Sequence, residues 1–145
     1  MKKWFGAIFL IVLVVGLFTQ VDFGVAQPTI KADGKSIKVV QGSYCWTGIF
    51  KHTCASMPTP PDLIKMEKIN PIIVKPEEKI EITFKNPPTE YGINLWSGNT
   101  SDVSLQNNIL IAPSEPGIYI YDVYGHWPNG DSASSAFTIE VEDNN

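Results

Sequence analysis

Cys45, His52, Cys54 and Met57 lie close together in the chain, and all four side chains can bind soft metals. Thiolate, thioether and imidazole ligands together select reduced copper, so one reading of the cluster is a copper-binding site with His52 and Met57 among its ligands. The spacing does not suit zinc, because there is no close Cys pair and no His pair. Cys45 and Cys54 are also the only cysteines in the chain, and an even count in an exported chain reads as a disulfide. That bond would close a loop of about ten residues and contribute roughly 2.5–3 kcal/mol through chain entropy. It would consume both thiolates, so the disulfide and the copper site exclude each other, and the disulfide is the expectation. A redox-active pair is a further reading, although the separation is unlike that of thioredoxin-type motifs.

Ser56-Met57-Pro58-Thr59-Pro60-Pro61 follows directly. Three prolines in so short a stretch predict a stiff, extended segment. A rigid loop beside a crosslink is how a protease inhibitor presents its contact segment, because little entropy is lost on docking. The plainer reading is a connection between two sheets. Aromatic residues form another group: Tyr44, Trp46 and Phe50 near the cysteines, Tyr91 and Trp96 in mid-chain, Tyr124 and Trp127 near the last turn. Exposed Trp and Tyr suit a sugar- or peptide-binding face. Trp46 or Trp96 is expected in the core and Trp127 at the surface. The expected contact surface is Tyr44, Trp46, Pro58, Pro60, Pro61 and Trp127.

No catalytic constellation emerges. No Ser sits in a nucleophile-elbow sequence, and neither His52 nor His126 has a nucleophile at a recognised spacing. Glu77-Glu78 reads as a solvated pair before a strand. No catalytic residue and no cofactor is assigned, and the expectation is not an enzyme. All 11 basic residues are lysine. The absence of Arg argues against nucleic-acid or phosphate recognition, where its planar fork is the favoured tool.

The elements that must position these residues read as short strands. Ile80, Ile82 and Phe84 alternate with Glu81, Thr83 and Lys85, the period of a half-buried strand. Other runs are Ile37 to Val40, Ile69 to Val74, Gly92 to Trp96, Val103 to Leu105, Ile109 to Ile111, Ile118 to Tyr124 and Phe137 to Val141. Pro71 marks the second of these as an edge strand. Asp33-Gly34 and Asn129-Gly130 are hairpin signals. Only Asp62 to Lys68 has any helical rhythm, and Gln27 to Ala32 is expected to fray. About seven strands with frequent turns predict an all-β sandwich.

Pro116-Gly117-Ile118-Tyr119-Ile120-Tyr121 resembles the penultimate strand of immunoglobulin-like antiparallel β-sandwiches. The resemblance implies that Tyr119 or Tyr121 bonds back to the preceding corner, and it implies little about function. Gln41-Gly42-Ser43-Tyr44-Cys45-Trp46, with Cys54 and Pro60-Pro61-Asp62-Leu63-Ile64, resembles small exported proteins and lipoproteins of Gram-positive bacteria. Where that group has an acidic residue after the second Cys, this chain has Ala55, Ser56 and Met57. That resemblance implies location and fold only.

Location is also written in residues 1–26. Lys2 and Lys3 precede an uncharged apolar block, Trp4 to Phe18, and a small-residue exit at Gly24-Val25-Ala26. This is the pattern of a signal peptide. At 1.5 Å per residue the block is about 22 Å long, short of the roughly 30 Å of a bilayer core. Cleavage after Ala26 is expected, with an uncleaved anchor as the alternative. The remaining domain, residues 27–145, has nine lysines against fourteen carboxylates, a net charge of −5. The expectation is a secreted or envelope-located, non-catalytic binding module for an unknown protein or glycan partner, with no nucleic acid. Contact with a membrane is expected only through the N-terminal segment, if uncleaved.

Overall fold

The structure is a computed structural model that describes residues 24–97 and 99–143. The expected signal helix lies outside the described residues. Eleven strands and one helix follow in order: β1 (Pro28–Ala32), β2 (Lys35–Ile37), β3 (Val40–Thr47), β4 (His52–Ala55), α1 (Pro60–Met66), β5 (Ile72–Val74), β6 (Lys79–Phe84), β7 (Glu90–Ser97), β8 (Asn99–Val103), β9 (Ile109–Ile111), β10 (Gly117–His126) and β11 (Ser132–Val141).

Two sheets pack face to face. One has the order β2-β1-β6-β9; the other runs β4-β3-β11-β10-β7-β8, with β5 alongside the end of β11. Neighbouring strands are antiparallel except β5, which runs parallel to β11. The chain crosses between sheets from β2 to β3 and from β5 to β6, and again from β6 to β7, from β8 to β9 and from β9 to β10. These are the Greek-key crossings of an immunoglobulin-like sandwich. Six of the strands from β5 to β11 fall on expected runs, whereas β8 is Asn99–Val103 and ends where the expected run Val103 to Leu105 begins. Four more form two hairpins, β1–β2 beside β6 and β3–β4 beside β11. The segment expected to fray is therefore β1, a paired strand with Ile30 only 1% exposed. The run from Ile37 to Val40 is not one strand but the end of β2 and the start of β3.

The strand periods work as the residue pattern demands. Ile80 and Ile82 of β6 are fully buried between exposed Lys79, Glu81 and Thr83. With Ile30, Ala32, Ile37 and Leu110 they face Ile93, Tyr121, Val123, Phe137, Ile139 and Val141 of the larger sheet. β5 is short, pairs only with β11 and leaves Ile73 exposed, as Pro71 foretold. Asp33 and Gly34 both have positive φ, 48° and 72°, as a tight two-residue hairpin requires. Tyr119 makes the corner bond: its hydroxyl donates to the Glu115 carbonyl at 2.9 Å. Tyr119→Phe removes that bond alone and is expected to lower stability by about 1 kcal/mol; thermal unfolding of the two proteins measures it.

β11 is buried on both faces, because α1 lies across the outside of the larger sheet. Ile64 and Ile69 pack there on Ala136, with Val40 and Ile120 alongside. The helix begins at the proline run. Pro60 and Pro61 occupy its first two positions, where a missing N–H leaves no bond unmade and a fixed φ is already helical. The expected stiff, extended loop is thus confined to Ser56–Thr59. Its continuation is helix, with Pro60 buried and Pro61 half-buried. Among the described residues no helix is long and apolar enough to cross a membrane.

Candidate functional site

Strand alternation places Asp122, Tyr124 and His126 of β10, Trp96 of β7, Ser132 and Ser134 of β11 and Cys45 of β3 on the outer face of the larger sheet. α1 covers one part of that face. Beyond its N-terminus the face is open and forms two hollows that meet at Ser43 and Ser134. One, of about 310 Å³, lies among the disulfide, Tyr124, His126 and Ser132. The other, of about 230 Å³, lies between Met57–Pro60 and the sheet and is floored by Trp96, Asp122 and Ser134. Gly42 makes this approach possible, since a Cβ there would collide with Ser134 Oγ.

Two polar atoms of residues lining the second hollow have no partner among the described residues: Trp96 Nε1, a donor, and Asp122 Oδ1, an acceptor. Both are buried atoms, and each unsatisfied group costs about 1–3 kcal/mol. Burial pushes the Asp122 carboxyl up to about 6, only partly offset by its hydrogen bond with the Ser134 hydroxyl. A destabilised carboxylate in a hollow lined by apolar and small polar groups has the character of a binding site.

The residues singled out from the sequence divide. Cys45 and Cys54 face each other across β3 and β4 and form the expected disulfide. This bond is consistent with a compartment outside the reducing cytoplasm. Tyr44 lines the larger hollow and also a separate hollow of about 420 Å³ at the hairpin tip, shared with Trp46 and Phe50. Pro58 is exposed and walls the smaller hollow with Pro60.

Trp127 is not a surface contact. It is 6% exposed, its indole N–H donates to the Asn86 carbonyl at 3.1 Å, and its ring meets Trp46 and Phe84 edge-on at 5.0 and 6.0 Å. The aromatic rings close the end of the sandwich, and burying the largest side chain there outweighs its position beside a turn. Trp46 and Trp96 are half-buried rather than core. The metal-type ligands also separate. Among the described residues one such group forms, Cys45, His52 and Cys54, with donor atoms within 4.8 Å of one another. Met57 instead lines the smaller hollow. The two sulfurs are bonded to each other, so a copper set would exist only after reduction.

Asp122 escaped notice in the sequence although a signal was there. It is the one charged residue in the run from Ile118 to Tyr124, and a charge in mid-strand on a covered sheet is rarely accidental. Trp96 and Ser134 carried no comparable signal. No protein-family model, curated protein or solved structure matches this chain.

Proposed function

We propose that this protein is an exported, non-catalytic binding module whose ligand lies in the outer-face trough between the Met57–Pro60 segment and the disulfide hairpin. The observation that supports it is that Trp96 and Asp122, whose buried Nε1 and Oδ1 have no partner among the described residues, line the same hollow. A ligand hydroxyl or amide can accept from the first and donate to the second. Glycans and peptides both present such groups, and the half-buried Trp96 and Tyr124 supply flat apolar surface beside them. The apolar, lysine-preceded N-terminal block and the disulfide support export.

The test is calorimetric titration of the protein with soluble oligosaccharides and with short peptides at neutral pH. Saturable binding by one class is expected, weakened about tenfold in Trp96→Phe, which keeps an aromatic ring, though a smaller one, and removes the donor. Binding that Trp96→Phe leaves unchanged would move the site elsewhere. No saturable binding by either class would defeat the reading.

A further inference from the structure

The disulfide hairpin carries a chain of contacts that the trough does not use. Asp131, just before β11, is 4% exposed. Its Oδ1 receives two bonds from Thr47, the backbone N–H at 3.0 Å and the hydroxyl at 2.7 Å. A backbone N–H can only donate, so Oδ1 is an acceptor, and the one hydroxyl proton of Thr47 is committed to it. Thr47 Oγ1 is then free only to accept, and His52 Nδ1 lies 3.1 Å from it. Nδ1 therefore carries a proton, an assignment made by the network, and in the neutral ring Nε2 keeps a lone pair.

That lone pair faces the disulfide. His52 Nε2 lies 3.6 Å from Cys54 Sγ. Cys54 is exposed while Cys45 is half-buried, and β4 pairs with no strand but β3. An approaching molecule thus reaches Cys54 first, and reaches it beside His52 Nε2, held in place from the buried Asp131.

We propose that Cys45–Cys54 is a thiol–disulfide exchange site, with His52 as its base and Thr47 and Asp131 as positioning residues. The co-reactant is a dithiol. One of its thiols gives its proton to His52 Nε2, and the thiolate attacks Cys54 Sγ. The electron pair of the Cys45–Cys54 bond leaves on Cys45 Sγ, which takes the proton back from the imidazolium. The second thiol of the reagent, as thiolate, then attacks the reagent sulfur that is bonded to Cys54 Sγ. Its disulfide closes and Cys54 leaves as thiolate, taking up the second proton. Two electrons pass from the dithiol, which is oxidised, to the protein disulfide, which is reduced. Attack by a thiolate through a mixed disulfide is the general course of such exchange.

The test uses the oxidised protein with dithiothreitol as the dithiol, near neutral pH. Opening is followed by acid quench, thiol alkylation and mass measurement. Four proteins are compared: wild type, His52→Asn, Thr47→Val and Thr47→Ser. The His52→Asn protein is expected to open about a hundredfold or more slowly, within the range of general-base contributions. Thr47→Val should slow opening as well, and Thr47→Ser, which keeps the hydroxyl, should restore the wild-type rate. Loosening of the hairpin would speed opening, so a slower Thr47→Val protein beside a wild-type rate in Thr47→Ser separates positioning of the imidazole from loosening. A wild-type rate in His52→Asn overturns the proposal. So does a disulfide that opens only in denaturant, and a Thr47→Ser protein as slow as Thr47→Val removes the relay on which it stands.

Discussion

Phe137→Ala is expected to lower the free energy of unfolding by about 3–5 kcal/mol. Phe137 has no exposed surface and stacks on Tyr121 with ring centroids 5.1 Å apart and planes inclined by 18°. It sits in β11, which pairs with β10 on one side and with β3 and β5 on the other, and α1 covers the strand's outer face. A cavity there cannot collapse without moving both sheets. The loss combines the buried apolar surface with the void left behind, and it is a large part of the roughly 5–15 kcal/mol that holds a domain together. Phe50 provides the contrast. It is 95% exposed at the tip between β3 and β4, so Phe50→Ala should change stability by less than about 0.5 kcal/mol. Urea unfolding of the three proteins measures both. A loss below about 1 kcal/mol for Phe137→Ala would contradict its place at the centre of the sandwich.

Asp122→Asn should act in the opposite direction, and only at neutral and alkaline pH. The folded carboxyl titrates near 6, against an ordinary value of 3.8, because burial disfavours its charged form. Below about pH 4 the group is protonated in both states and folding carries no charging penalty. Stability from this group is therefore complete at low pH and is lost as pH rises through about 6. Tenfold in proton affinity is worth about 1.4 kcal/mol. With a discount for the solvent that still reaches the carboxyl, the penalty at pH 8 is about 1–2 kcal/mol. Asparagine keeps a partner for Ser134 and cannot ionise. The variant is expected to be more stable than wild type by that amount at pH 8 and equal to it near pH 4. Urea midpoints of the two proteins across that range give the difference directly. A difference that does not change with pH would show that burial is not what shifts Asp122. Stability surrendered to keep a charge beneath a hollow is a common cost of a binding site.

Much of the architecture was legible because it depends on neighbours in sequence. The alternation of Ile80, Ile82 and Phe84 needs only a period of two. Asp33-Gly34 needs only the φ that its turn demands, and Tyr119 reaches back just four residues to Glu115. With two cysteines in the chain, the disulfide had no alternative pairing. Pro71 placed β5 at an edge because proline cannot donate to a ladder on both sides.

Other features depended on which surfaces meet. Periodicity assigns a residue to a face, but it does not say what covers that face. Asp122, Trp96 and Ser134 come from three strands, β10, β7 and β11, and line one hollow beyond the N-terminus of α1. Pro60-Pro61 suits an extended segment and a helix start equally well, since both use nearly the same φ. Leu63 and Ile64, buried against the sheet, settle it for the helix. Trp127 reads as exposed beside a turn until Trp46 and Phe84 arrive from other strands to enclose it. The proton on His52 is assigned by Asp131, from the far side of the β3–β11 pairing. The sequence by itself determined the alternating strands such as β6, the Asp33-Gly34 turn and the crosslink, because these are written in local geometry and covalent choice. The trough, the buried tryptophan and the orientation of the imidazole were decided by tertiary structure, because burial and hydrogen bonding are set by partners that the chain supplies only when folded.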